Sequence, residues 1–294
     1  MDVTNLKQAQ NKIEIMGLLA EKELSDESNE SRIAGSFSIK IDDLNTIKLN
    51  FRADRLTKKG DPNPSYDSLK KFYDTSNTIA SVGEENATKV YTNHAELNPY
   101  FSTKSNTQYT NYRVSFIGEF RGKEEDWKPK AEASVEVYIN AIIDEMDKEG
   151  EPTGRVVVKG WMPTYSGIEP LTFIAPEEIA DAIRDGYEMG QTVLFIAMVN
   201  NSRIEKKKEI PMRIGKKVTV EYSFTNELII TGASEPYDED SETKPYDAGA
   251  IKQAIQEREA KIKEASEKAA SGQNVQSGQN KPSGKAMGRT PNWM

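Results

Sequence analysis

Two long stretches of this chain alternate apolar and polar residues, and one helical pattern interrupts each stretch. Alternation with a period of two is typical of strands that bury one face, and Phe37, Ile39 and Ile41 show it among polar neighbours. Residues 42–45 then carry the short polar side chains of a turn. The first stretch therefore predicts a β-meander followed by further strands. Its predicted strands are Lys12–Leu19, Ile33–Ile41, Thr46–Phe51, Ala87–Tyr91 and Tyr112–Phe120.

The helical pattern of the first stretch begins at Ser65, which can cap a helix, and continues through Leu69 and Phe72. In the second stretch, residues 176–190 predict a helix with Pro176 in its first turn and apolar residues on one face. The strands around it are again short. The predicted strands of the second stretch are Val135–Ile143, Arg155–Trp161, Leu171–Ile174, Thr192–Val199, Val218–Phe224 and Leu228–Thr231.

Five short strands and one helix, repeated in tandem, predict a mainly β fold of two OB-type Greek-key barrels. A pair of β-sandwich domains is the alternative. After Gly232 the sequence turns acidic, then helix-prone at Ala248–Ala270, then low in complexity and predicted to be disordered. The predicted divisions are a first OB-like domain at 1–125, a second at 131–235, an acidic segment with a helix at 236–270, and a disordered tail at 271–294.

The residue types argue against catalysis and against a metal or cofactor. The chain has no cysteine and a single histidine, His94. Thiolate metal sites, multi-histidine sites and histidine-based triads therefore lack their parts. The pair Gly215-Lys216 lacks the upstream glycine of a phosphate-binding loop, and acidic pairs such as Glu177-Glu178 are explained by solvation. We therefore predict a non-enzymatic protein without a cofactor.

The net charge of −8 argues against a protein that coats nucleic acid through overall basicity. Binding to a polyanion would need a local basic groove. No apolar run approaches the roughly 20 residues that cross a bilayer, and the first residues lack the pattern of a secretion signal. We expect a cytoplasmic protein with no membrane contact.

Single-stranded nucleic acid is bound by aromatic faces on which bases stack and by cations that follow the phosphates. Both kinds of residue occur at comparable places in the two predicted barrels, and a basic run leaves the third strand, beside the usual OB binding face. The competing interpretation is that such tyrosines pack over a barrel and that such cations belong to solvated loops. The candidate phosphate contacts are Arg52, Arg55, Lys58, Lys59 and Arg203. The candidate base-stacking rings are Tyr91, Tyr109, Tyr112, Trp161 and Tyr165.

Several segments resemble a known family: GRVVVKGWMPTYSGIEPLTFIAPEEI (154–179), YEMGQTVLFIAMVNN (187–201) and ELIITGASEPYDED (227–240). They are similar to tandem OB-fold, single-stranded-DNA-binding proteins of phages and mobile elements in Gram-positive hosts. GSFSIKID (35–42) and YRVSFIGEF (112–120) are similar to the amino-terminal half of that family. The resemblance implies protection of single strands during replication or recombination, in the cytoplasm of a bacterial host.

Typical bacterial single-strand binders end in an acidic, hydrophobic tip, whereas this sequence ends in GRTPNWM and has its acidic residues earlier, at 235–242. The acidic segment is a candidate partner motif or an internal mimic of DNA. The leading hypothesis is thus a single-stranded DNA-binding protein, with replication or recombination proteins as partners of the C-terminal region. The alternatives are a phage structural or assembly protein and a replication adaptor.

Overall fold

In the computed structural model, residues 6–211 and 216–270 are described, with backbone alone for 204–211, 216–218, 221, 222 and 270. The described residues form eleven strands. The strands are β1 (Asn11–Leu24), β2 (Arg32–Lys40), β3 (Thr46–Asp54), β4 (Lys89–Ser102), β5 (Thr107–Val114), β6 (Gly118–Glu119), β7 (Lys130–Met146), β8 (Pro152–Thr164), β9 (Gly167–Ala175), β10 (Thr192–Pro211) and β11 (Lys216–Ala233). The helices are α1 (Pro64–Thr75), α2 (Ile79–Val82), α3 (Glu177–Gly186) and α4 (Ala248–Ala270), with 3-10 turns at Glu84–Asn86 and Glu124–Asp126.

Barrel 1 is the five-stranded barrel formed by β1 to β5. Its strands follow the order β1-β2-β3-β5-β4, and β4 pairs with β1 so that the sheet closes on itself. The β3–β5 pair is parallel, whereas the other pairs are antiparallel. Helices α1 and α2 lie between β3 and β4 in the chain. This strand order and this closure are those of an OB fold.

Barrel 2 repeats the same arrangement with β7 to β11. Its order is β7-β8-β9-β11-β10, and β10 pairs with β7 to close the barrel. The β9–β11 pair is parallel, and α3 lies between β9 and β10. Each sheet closes on itself, which distinguishes these barrels from the alternative pair of β-sandwiches. The prediction of a mainly β fold with two tandem OB barrels is confirmed.

Large apolar side chains on the inward faces of the strands fill both barrels. The Phe37 ring stacks on Phe51 with the centroids 4.4 Å apart and meets Phe72 of α1 edge-on at 5.2 Å. In barrel 2 the Phe173 and Phe195 rings lie 5.2 Å apart. Burial of alternate residues leaves the intervening ones on the outer surface of each barrel. The outer face of a strand is therefore defined by the same alternation that builds the core.

Helix α1 begins after Asn63, whose side-chain oxygen accepts a hydrogen bond from the backbone N–H of Ser65. Pro64 occupies the start of the helix, where its missing N–H leaves no bond unmade. The prediction that Ser65 caps this helix is wrong. Asn63 is the N-cap residue, and Ser65 lies in the first turn, where its backbone N–H is the group that Asn63 caps. The helix buries Tyr66, Leu69 and Phe72 against barrel 1.

The first strands of the two barrels pair with each other. Strands β1 and β7 run antiparallel from the pair Asn11 and Val135 to the pair Met16 and Lys130. All eleven strands consequently belong to one hydrogen-bonded sheet. The barrels are therefore joined along their backbones as well as by side chains.

A second junction forms where the long β10–β11 hairpin of barrel 2 reaches the β2–β3 turn of barrel 1. The buried side chain of Asn45 donates to the carbonyl of Val199 at 2.9 Å and accepts from the N–H of Asn201 at 3.0 Å. The Tyr112 hydroxyl donates to Oδ1 of Asn226 at 2.9 Å. These contacts place the part of the hairpin around Asn201 and Asn226 beside barrel 1.

Three predicted strand boundaries are wrong. A single strand was expected at residues 112–120, but β5 ends at Val114 and β6 holds only two residues. Residues 98–111 lie between the strands expected at 87–91 and 112–120 and were expected to be a connection. They instead form the end of β4, a turn and most of β5. Strands expected at 218–224 and 228–231 are one strand, because the ladder to β10 continues through the pair Asn201 and Asn226.

Two other predictions concern the divisions and ends of the chain. The helix expected at Ala248–Ala270 is α4. The predicted disordered tail at 271–294 lies outside the described residues, and the domain boundaries stay a prediction. Among the described residues, no helix combines the length and the apolarity that a membrane span needs.

Candidate nucleic-acid interface

The outer surface of β2, β3 and β5 in barrel 1 is a polar face. The pairing of the strands places Ser36, Asn50 and Arg113 side by side across it, and Glu96 of β4 follows next to Arg113. Asn50, Arg113 and Glu96 alternate with buried residues such as Leu49 and face outward. Ser36 has the outward register of β2 but is itself buried. In an OB barrel the strand 2–3 face and the adjoining loops are where oligonucleotides bind.

Several cations of the polar face are held by carboxylates. The ion pairs are Arg52 with Glu27 at 3.1 Å, Lys48 with Glu23 at 3.4 Å and Arg32 with Asp54 at 2.5 Å. The hydrogen bond from Arg32 lowers the pKa of Asp54 below its ordinary value. A phosphate that approached Arg52 or Lys48 would compete with these carboxylates, so the pairs reduce the attraction of the face for a polyanion.

The basic run predicted from the sequence lies at one end of the polar face. Arg52 belongs to β3, whereas Arg55, Lys58 and Lys59 are exposed in the loop that follows it. The backbone N–H of Arg55 donates to the carbonyl of Ser31 at 2.8 Å, which ties this loop to the loop between β1 and β2. The structure thus brings the four predicted cations of barrel 1 together.

Two tyrosines stack on each other in the hairpin formed by β4 and β5. Tyr100 and Tyr109 are directly opposite in the ladder, with ring centroids 5.6 Å apart and an angle of 24° between the planes. Tyr109 is 42% exposed, so one side of the pair is open to solvent. Tyr100 was not among the candidate site residues, although two tyrosines at matching distances from a hairpin turn are a signal for such a pair.

The predicted stacking role of Tyr112 does not fit its position. Its ring is buried in barrel 1, because residue 112 has the inward register of Val114. Burial raises the pKa of Tyr112 to about 12, so the phenol stays protonated and donates to Asn226. Tyr112 therefore joins the two barrels instead of meeting a base.

Tyr91 is separated from the other candidate rings. It is half-buried on the first half of β4, between Met16 of β1 and Gly118 of β6. At about 3.3 Å per residue, the nine positions from Tyr91 to Tyr100 correspond to roughly 30 Å along the strand. The structure does not bring Tyr91 to the polar face, and its role in binding stays a prediction.

The candidate rings of barrel 2 lie on the β8–β9 hairpin. Tyr165 occupies the turn and is 93% exposed. Trp161 is half-buried on β8, and the guanidinium carbon of Arg258 lies 5.9 Å from the centre of its ring. Helix α4 therefore covers part of the Trp161 ring, whereas the Tyr165 ring is open to solvent.

A hydrogen-bonded junction joins the β4–β5 hairpin, the β8–β9 hairpin and α4; we call its residues Gln108, Glu169 and Arg258 the hairpin junction. Arg258 contacts Glu169 at 2.9 Å and donates to the side-chain oxygen of Gln108 at 2.6 Å. Burial raises the pKa of Glu169 above its ordinary value, although Arg258 acts in the opposite direction. Tyr109 and Tyr165 are thus carried by two hairpins in contact.

The outer part of the β10–β11 hairpin presents an aromatic ring beside a cation. Arg203 and Phe224 are cross-strand partners, with the guanidinium carbon 6.0 Å from the ring centre. Phe224 is 72% exposed. It was not among the candidate site residues, although it lies in the alternating segment 218–224, which follows a lysine- and arginine-rich segment of the sequence. The backbone N–H of Arg203 donates to the carbonyl of Leu44, so the pair lies at the edge of barrel 1.

The hairpin segment 201–225 is basic in a chain that is acidic overall. It contains seven Lys or Arg residues and three Glu residues, whereas the whole chain has a net charge of −8. Of these cations, Arg203 lies beside barrel 1, since its backbone N–H donates to the carbonyl of Leu44. Within the described residues, no group of three or more His, Cys, Asp or Glu side chains is arranged to hold a metal ion.

Two barrels of this strand order in tandem define a class of mainly β proteins with two OB folds. Within that class the chain belongs to the YorF family, since the sequence model of this family, described as YorF, matches residues 9–268. No curated protein matches this chain.

Among solved structures, the fold is similar to that of the wild-type single-stranded DNA binding protein from Thermus aquaticus. The TM-score is 0.49 at 11% identity, over 81% of this chain and 98% of that chain. A deletion mutant of the same Thermus aquaticus protein gives a TM-score of 0.47 at 10% identity, over 81% and 100%. A Replication Protein A heterotrimer bound to ssDNA gives 0.22 at 10% identity, over 74% and 49%.

Proposed function

We propose that this protein is a non-enzymatic binder of single-stranded DNA and that the strand lies along the polar face of barrel 1. The observation that carries the proposal is the placement of two exposed aromatic groups at the borders of this face. Tyr100 and Tyr109 stack on the β4–β5 hairpin, and Phe224 lies beside Arg203 on the β10–β11 hairpin. Stacking on such rings contributes about 1–3 kcal/mol per base.

The cations supply the second element of the proposal. Arg52, Arg55, Lys58 and Lys59 lie at one end of β3, and Arg203 lies beside the turn that precedes β3. Strand β3 spans about 26 Å between these ends at about 3.3 Å per residue. A phosphate backbone that follows β3 therefore meets cations at both ends, with Tyr165 of barrel 2 as a further stacking position beyond the β4–β5 hairpin.

A fluorescence-anisotropy titration with a labelled thymine oligonucleotide of about 30 residues tests the proposal, since OB folds cover roughly 4–16 nucleotides each. We expect binding at low salt and a steady loss of affinity as the salt concentration rises, because phosphate contacts release counterions. Duplex DNA of the same length serves as the control and should bind more weakly, because paired bases cannot stack on the rings. Absence of binding to the single strand at low salt would overturn the proposal.

We further propose a role in replication or recombination of a phage or mobile element in a Gram-positive host. The support for this context is the sequence resemblance of residues 154–179, 187–201 and 227–240. Partner proteins would bind through the C-terminal region, where the second half of α4 carries exposed charged side chains such as Lys261 and Glu264. Co-purification from infected host cells, with the full chain and with residues 259–294 removed, tests both claims. Loss of replication or recombination proteins only from the shortened chain is the expected result.

A further inference from the structure

Arg258 of α4 contacts both barrels, through Gln108 of barrel 1 and Glu169 of barrel 2. Its guanidinium donates to Glu169 of β9 at 2.9 Å and to Gln108 of β5 at 2.6 Å, and it lies over the Trp161 ring of β8. The planar group can serve three partners at once because its N–H donors point in fixed directions and its face stacks on aromatic rings. The Arg258 side chain is only 14% exposed. Its charge is therefore directed toward the protein and not toward a ligand in solvent.

The start of α4 is anchored firmly enough to hold Arg258 in place. Ile251 and Ala254 are buried against barrel 2 and lie about two turns and one turn, respectively, before Arg258 on the same side of the helix. Just before the helix, the Tyr246 hydroxyl donates to the buried carboxylate of Glu136, and the N–H of Tyr246 donates to Oγ1 of Thr192 at 2.9 Å. The helix is thus fixed to barrel 2 independently of its contact with barrel 1.

The two hairpins that Arg258 joins are those that carry exposed tyrosines. Gln108 precedes Tyr109 on β5, and Glu169 follows the turn that holds Tyr165. Gln108 also donates to Glu169 at 3.4 Å, so the two hairpins touch where Arg258 bonds to both. Where β1 pairs with β7, it lies opposite residues 91–95 of β4, six or more positions before Phe101, which is the ladder partner of Gln108.

We propose that Arg258 is a positioning residue that holds the two tyrosine-bearing hairpins in one arrangement, so that a single DNA strand spans both barrels. This inference rests on the proposed function. In a bivalent arrangement, the second contact is strengthened by a high effective concentration only while the geometry permits both contacts together. Loss of the hairpin junction would therefore weaken binding to long strands and leave binding to short strands unchanged.

The first test measures the arrangement of the hairpins without DNA. Because the chain contains no cysteine, spin labels can be attached to Ser105→Cys and Ser166→Cys in the full chain without other changes. The distance distribution between the labels should be narrow in the parent protein and broader in Arg258→Met. Lys252→Met, which changes an exposed cation on the same helix, is the matched control and should leave the distribution narrow. Gln108→Ala is the second variant and removes one arm of the junction without opening the core.

The second test compares thymine oligonucleotides of about 6 and about 30 residues, which occupy part of one barrel or reach both. Arg258→Met should reduce the affinity for the long strand tenfold or more and change the affinity for the short strand less than twofold. Equal loss for both lengths, or no loss for either, would overturn the positioning role. If the parent protein binds neither length, the proposed function fails, whereas an unchanged label distance in Arg258→Met refutes the fixed arrangement itself.

Discussion

Tyr109 and Tyr112 lie three positions apart on β5, and their rings face opposite sides of the strand. The Tyr112 ring is buried among the inward-facing residues, whereas Tyr109 is 42% exposed on the outside. Both residues were candidates for base stacking, and composition alone does not separate them. The register of the strand separates them, because a shift of one residue exchanges the two faces. For a ring on a barrel strand, the register thus decides between binding and packing.

Tyr109→Ala should weaken binding of single-stranded DNA by about 1–3 kcal/mol, which is roughly a 5- to 150-fold rise in Kd, because one stacking surface is lost. Anisotropy titration with a thymine oligonucleotide measures the effect. Tyr91→Leu compares the two halves of β4: the proposed path of the strand passes Tyr109 and not Tyr91, so this replacement should change Kd less than twofold, and the predicted stacking role of Tyr91 would then be wrong. Equal effects of the two substitutions would contradict the proposed path of the strand.

Phe224→Ala should also weaken binding by about 1–3 kcal/mol, since Phe224 is the exposed ring of the β10–β11 hairpin. Phe224→Trp should retain or increase affinity, and its fluorescence should be quenched when a base stacks on it. Val220→Ala, on the same side of β11, provides an exposed apolar control. A Phe224→Ala variant that binds like the parent protein would remove this hairpin from the interface.

Glu169 makes the stability of Arg258 variants dependent on pH. Burial raises the pKa of Glu169 in the folded protein, and Arg258 opposes this effect. A raised carboxyl pKa means that the folded protein holds the proton more tightly than the unfolded chain, so stability falls as pH rises through the folded pKa. Arg258→Met removes the opposing charge and raises this pKa further. The variant should lose about 1–3 kcal/mol more at about pH 7 than at about pH 4.5, where Glu169 is protonated.

Urea unfolding at both pH values measures this difference. In a Glu169→Gln background the titrating carboxylate is absent, so the loss in free energy of unfolding caused by Arg258→Met should be similar at the two pH values when Glu169→Gln is the reference. A pH-independent loss in Arg258→Met alone would show that Glu169 is not the responsible group.

At the scale of whole strands, the sequence pattern predicted a segment of each long strand but not its full extent. Period-two alternation predicted Thr46–Phe51 within β3 and Thr192–Val199 within β10. The ends depend on pairing: β10 and β11 continue beyond barrel 2 because each is the other's ladder partner. The polar triplet at 225–227 interrupts the hydrophobic pattern, yet it stays extended because Asn226 pairs with Asn201. The alternation of apolar and polar residues indicates which strand residues are buried. Residues 225–227 lie outside the hydrophobic core but still pair within the sheet, so the alternation does not detect them.

The ion pairs that β3 makes with the first strand and its loop should limit DNA binding. Glu23 and Glu27 lie within 3.4 Å and 3.1 Å of the cationic nitrogens of Lys48 and Arg52. Glu23→Gln with Glu27→Gln removes both of these ion pairs and two negative charges beside the polar face, and should lower Kd about threefold to tenfold at low salt. The salt dependence of Kd should become steeper by up to about two counterions. Glu149→Gln with Glu151→Gln, in the exposed turn between β7 and β8, is the charge-matched control, and an identical gain from this control would contradict a local effect.

At the scale of the molecule, the candidate interface is assembled from parts of the chain that are far apart in sequence. Asn45 of barrel 1 bonds to Asn201 of barrel 2, and Gln108 bonds to Arg258. Composition and spacing pointed to the five candidate cations and, among the rings of the proposed interface, to Tyr109 and Tyr165, because these residue types are what single strands require. Their grouping was not predictable, because it depends on the β1–β7 pairing and on where one long hairpin meets the other barrel. Phe224 and Tyr100 become candidates for base stacking once their positions in the assembled barrels are known.

The same junctions should make the two barrels unfold together. Phe37→Ala in barrel 1 should lower the free energy of unfolding by about 3–5 kcal/mol, because it leaves a cavity beside Phe51 and Phe72. Trp161 reports on barrel 2 when Trp127 and Trp293 are replaced by Phe. Because β1 pairs with β7 and the side chains of Asn45, Tyr112 and Gln108 bond across to barrel 2 or α4, the Trp161 fluorescence and the far-UV circular dichroism should show one shared transition at a lower Tm. A Trp161 transition that keeps the parent Tm, while the circular dichroism shows an earlier step, would mean that the barrels are energetically independent despite their common sheet.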